Sequence, residues 1–197
     1  MKTLIAIACA VITACCASAA DDAKPKPTIK VSTDGFPAGH DTPEGVACDL
    51  ARAFIKRDVA LFTNTCIRPF GGGVQRTNYE AFLEKTVQSM KEEAAKKEPS
   101  PGGPKAITKV FAARHLSQRG PDSFAYAMFD FRGLMFVDIK TERQNGDVAN
   151  FRILVIKKAD DKWYVYPTPQ YAELMSAGLN SESDSTQDFS EAYKVEK

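Results

Sequence analysis

The sequence predicts an α+β domain in which three N-terminal helices pack on a curved antiparallel sheet. Apolar residues recur at helical spacing through about residue 97 and at strand spacing beyond it. Pro99, Pro101, Gly102, Gly103 and Pro104 separate the two regimes. Helices followed by a run of strands place the helices over a sheet rather than between parallel strands.

The first helix starts at Thr42-Pro43-Glu44: a capping side chain, a proline suited to the first turn, and an acid at the positive end of the dipole. Val46, Leu50 and Phe54, with Ala47 and Ala51, share one face. Arg57-Asp58 breaks the pattern, and Asp58 reads as the cap of a second, short helix carrying Val59, Leu61 and Phe62. Pro69 and Gly71-Gly72-Gly73 turn the chain, and no Gly-Lys-Ser/Thr follows to make a phosphate loop. Thr77 to Glu80 has capping-box spacing for a third helix, whose stripe is Tyr79, Phe82, Leu83, Val87, Met90 and Ala94. Residues 106–117 and 123–140 read as strands, the second bulged or bent at Arg132-Gly133. Asn145-Gly146 marks a hairpin into strands over 148–158 and 162–166, joined at Ala159-Asp160-Asp161. Thr168-Pro169 opens a last short helix that Gly178 ends. The charge-mixed stretches 140–143 and 157–162 read as solvated strand ends.

Residues 43–178 therefore read as one domain, flanked by segments of different character. Residues 1–20 have a basic start at Lys2, an apolar run and the small-residue exit Ala17-Ser18-Ala19-Ala20, the pattern of a secretory signal peptide. Two processing routes fit. Cleavage after Ala19 or Ala20 frees the chain into the periplasm or medium. Ile12-Thr13-Ala14-Cys15 resembles the bacterial lipobox, and acylation of Cys15 would tether the chain to a membrane. Residues 21–42, rich in proline and glycine, read as a flexible linker, and residues 179–197 as a polar tail.

The chain has 26 basic and 25 acidic side chains, and Lys2 is the only charge before residue 21. That balance argues against a nucleic-acid partner. Removal of residues 1–20 leaves two cysteines, Cys48 and Cys66, which an exported domain could bridge in a disulfide or bury as thiols. The two histidines, His40 and His115, do not form the three- or four-ligand cluster that zinc requires, and no cofactor motif is present.

The segment over residues 51–62 is a helix, a capping aspartate and a second helix. With the third helix and the strand ending Trp163-Tyr164-Val165-Tyr166, it resembles the nuclear-transport-factor-2-like superfamily, which includes SnoaL-like and ketosteroid-isomerase-like proteins. The resemblance covers about residues 43–178. It implies a cone-shaped, cystatin-like fold with a pocket between helices and sheet, and a homodimer built through the sheet's outer face. Such folds host both enzymes and binding domains, so the polar groups of the pocket must decide.

Tyr126, Asp130 and Arg132 share one parity of their strand. If that face meets the helices, Asp130 becomes a base assisted by Tyr126 or His115, and Tyr126, Asp130, Arg132 and Trp163 line the pocket. If it does not, they are strand-pairing or solvated side chains, and Trp163 is core. No catalytic set maps residue by residue onto the isomerase-like relatives. The expectation is thus an exported, non-catalytic domain that binds a small apolar ligand or a partner. An isomerase-like enzyme using Asp130 and a structural, dimerising envelope subunit are the alternatives.

Overall fold

The computed structural model describes residues 28–68, 74–115, 131–167 and 194–196. Three helices, α1 (Pro43–Lys56), α2 (Val59–Thr65) and α3 (Val74–Ala95), precede the main sheet. Its strands are β2 (Pro104–Val110), β3 (Arg114–His115), β4 (Phe131–Arg143), β5 (Val148–Lys158) and β6 (Trp163–Val165). All pair antiparallel in the order β2-β4-β5-β6, and β3 lies beside β4 on the same edge as β2. The fold is α+β, as the change of period predicts.

Local chemistry sets the helix boundaries. Thr42 caps α1 by accepting a hydrogen bond from the Gly45 amide (3.1 Å), and Pro43 follows in the first turn. Arg57 ends α1 in the left-handed region (φ 55°), and the Asp58 amide donates back to the Ala53 carbonyl. Asp58 then caps α2 through the Leu61 amide (2.9 Å). Helix α3 begins earlier than the capping-box reading places it. Thr77 lies inside the helix, and Glu80 reaches Arg76 (2.8 Å) one turn back instead of the Thr77 amide.

Strand β4 shifts register between Phe131 and Gly133, where the sequence places a bulge. Beyond it, Met135, Val137, Ile139 and Thr141 share a face with Ala149, Phe151, Ile153 and Val155 of β5. That face packs on Val46, Ala47 and Cys48 of α1. The opposite face is not bare: Leu154 and Ile156 join a second core with Phe62, Tyr79, Leu83 and Met90. The run Ile153–Ile156 is therefore buried without alternation. Between β2 and β3 the edge is interrupted, because Glu44 of α1 accepts the Ala113 amide (2.7 Å). A strand continuous over 106–117 is excluded for that reason.

Within the stretch 21–42 that the sequence reads as a flexible linker, residues 28–42 pack against α1 and the sheet. Arg52, 4% exposed, donates to both Asp34 oxygens (2.7 and 2.8 Å), to Asp49 (2.7 Å), and to the Pro37 and Phe36 carbonyls. Burial pushes the Asp34 carboxyl up, and the Arg52 guanidinium and the Phe36 amide together more than offset it, so its pKa lies below the usual value. The backbone of His40 accepts from the Trp163 amide (2.8 Å), which covers the start of the β6 edge; the Ile67 amide covers its end at Val165. Strand β1 (Thr28–Lys30) buries Ile29 and pairs in parallel with β7 (Lys194–Glu196), so part of the C-terminal tail is tied to the N-terminal arm.

Cys48 and Cys66 are not bridged. Cys48 belongs to the α1–sheet core and Cys66 to the second core, which is why two cysteines close in sequence do not meet. Burial pushes both thiols up, Cys66 to about 12, so neither is a nucleophile at neutral pH.

Candidate functional site

Helix α1 presents Leu50, Ala51 and Phe54 along one stripe above the sheet. Below it, the register aligns Ile139 and Thr141 of β4 with Phe151 and Ile153 of β5. The stripe and the strands do not close completely. They leave an inner cavity of about 330 Å³, bounded at its ends by Phe82 of α3, Pro104, Tyr166 and Pro167. Apolar side chains make nearly all of its wall, the composition expected of a small-molecule site.

Thr141 is a buried polar side chain in that wall. It is 1% exposed, and its Oγ1 makes no hydrogen bond among the described residues. Buried hydroxyls rarely lack a partner. Arg152 also borders the cavity, but it shares the opposite sheet face with Asp138, which it grips at 2.8 and 3.1 Å. That grip raises the guanidinium pKa further. The inner cavity therefore contains no unpaired charge from Arg152.

A broader outer groove of about 720 Å³ adjoins it, and Phe54, Phe82 and Pro104 belong to both walls. Phe54 is 37% exposed, a large apolar side chain left at the junction. The groove's charged residues are Arg57, Lys85 and Glu93. Arg57 Nη1 donates to the Glu93 and Lys96 carbonyls (2.9 and 3.1 Å), holding the end of α3. Glu93 accepts from Lys96 Nζ (2.5 Å), the Ser100 amide (2.6 Å) and Ser100 Oγ (2.9 Å), and these bonds hold its pKa at about 2. Lys85 is exposed and makes no ion pair among the described residues.

Of the residues singled out from the sequence for the pocket, the described ones, Arg132 and Trp163, line neither cavity. Tyr126, Asp130 and the lipidation candidate Cys15 lie outside the described residues. Arg132 is exposed on β4, beside the register shift at Phe131/Gly133. His115 sits on β3 opposite Met135. Trp163 is core: it is 8% exposed and packs in the α1–sheet cluster. Among the described residues no group of three or more His, Cys, Asp or Glu side chains could hold a metal ion.

Phe54 and Phe82 were visible in the sequence only as members of helical stripes, where nothing separates a wall residue from a core residue. Thr141 lay in a stretch read as a solvated strand end; its alternation with Val137 and Ile139 is the signal that places it inside. The sequence matches no protein-family model and no curated protein. The class supported by fold and site together is an α+β domain with an apolar cavity between its first helix and its sheet.

Proposed function

We propose that the chain is an exported, non-catalytic binding domain of nuclear-transport-factor-2-like type that takes a small apolar ligand between α1 and the sheet. One observation carries this reading: an apolar cavity of about 330 Å³ whose wall includes a buried hydroxyl without a hydrogen-bond partner among the described residues. Export rests on the signal pattern of residues 1–20. The isomerase-like alternative needs Asp130 as base, and no described group in the cavity wall takes that part.

The test is a titration with N-phenyl-1-naphthylamine, a neutral apolar dye that fluoresces in dry surroundings. The expected result is saturable binding at one site, abolished when Ala51→Phe fills the cavity while the far-ultraviolet dichroism stays unchanged. Binding that Ala51→Phe leaves intact, or no saturable binding, would overturn the reading.

A further inference from the structure

The inner cavity and the outer groove differ in chemistry although they share a wall. The inner one is apolar, and its bordering cation, Arg152, is neutralised by Asp138 on the other sheet face. Among the described residues the outer one carries two cations, Arg57 and Lys85, against the single carboxylate of Glu93. Both Glu93 oxygens are engaged by Lys96 and Ser100, so that carboxylate does not neutralise Lys85. Arg57 spends Nη1 on the carbonyls at the end of α3. The groove is left with a surplus of positive charge next to an apolar hole, and Phe54 and Phe82 stand between them.

A molecule complementary to both compartments is bipolar. We propose that the site takes a single-chain amphiphile with a carboxylate head, its hydrocarbon chain in the inner cavity and its head beside Lys85. The inference rests on the ligand-binding reading above and adds the ligand's class and orientation. Burial of the chain supplies the affinity, because every methylene removed from water adds to it. The head contributes orientation and a smaller, salt-sensitive preference, because Lys85 is exposed.

Decanoate and decanol distinguish the two parts of the argument, since they share a chain and differ in charge. Each is titrated into the full chain and followed by nuclear magnetic resonance at the backbone amides of Ala51 and Lys85. Both are expected to perturb Ala51. Decanoate is expected to bind about five-fold more tightly at low salt. Lys85→Gln is expected to abolish that preference while leaving decanol affinity unchanged, and Lys85 makes no ion pair among the described residues whose loss would unsettle the fold. Equal affinities, or tighter decanol, would overturn the carboxylate inference and leave the ligand-binding reading standing. A decanoate preference that survives Lys85→Gln would place the head elsewhere and overturn it too. If neither compound perturbs Ala51, both readings fall.

Discussion

Thr141 is a buried hydroxyl whose Oγ1 has no hydrogen-bond partner among the described residues, and leaving such a group unpaired costs a folded protein about 1–3 kcal/mol. Thr141→Val removes the hydroxyl and keeps the branched shape. Urea unfolding of the ligand-free protein is expected to show a gain of about 1 kcal/mol. A loss would mean that the hydroxyl is already satisfied. Gly45 makes the opposite point about small residues. Alanine is the better helix former by about 1 kcal/mol, yet a Cβ at Gly45 would sit 2.5 Å from the Gly39 carbonyl oxygen and 2.8 Å from that of Ala38. Both are backbone atoms and cannot swing aside. Gly45→Ala is therefore expected to lower the melting temperature, and a higher one would refute the close approach of residues 38–39 to α1.

At the scale of elements, the N-terminal arm and the end of α3 are each held by one charged cluster. Arg52 places its guanidinium on two carboxylates and two carbonyls, a forked pattern that a lysine ammonium cannot reproduce. Arg52→Lys is expected to cost about 3 kcal/mol in denaturant unfolding and to expose residues 30–39 to amide exchange. Unchanged exchange there would show that the arm is held otherwise. The end of α3 depends on pH through Glu93. Its pKa in the folded chain, about 2, lies below the ordinary glutamate value, so its contribution is present above that ordinary value and fades as pH falls toward about 2. Amide exchange at Ser100 is expected to accelerate across that acid window and to lose this pH dependence in Glu93→Gln. A window that persists in Glu93→Gln would assign it to another group.

At the scale of the whole molecule, what the sequence discloses is what its neighbours in sequence decide. Thr42 and Asp58 cap their helices through amides three residues away, and Asn145-Gly146 turns the chain with Gly146 at φ 86°. The register shift at Phe131/Gly133 likewise follows from a glycine in a strand. What stays hidden depends on contacts between distant residues. Glu44 interrupts the sheet edge at Ala113, 69 positions away, and Arg52 reaches back to Asp34 and Pro37 to turn an apparent linker into packed structure. The cavity is hidden for the same reason. Helical spacing assigns Phe54 and Phe82 to apolar faces, but only the separation of α1 from the strands decides whether those faces meet core or open space.

The cavity's occupancy by an apolar ligand is the claim on which the functional account depends, and a crystal structure grown at saturating decanol tests it most directly. The account predicts the hydrocarbon chain between Leu50 and Phe54 of α1 and Phe151 and Ile153 of β5, with its hydroxyl toward the outer groove. An empty cavity under those conditions, or a chain seated elsewhere on the protein, would contradict it.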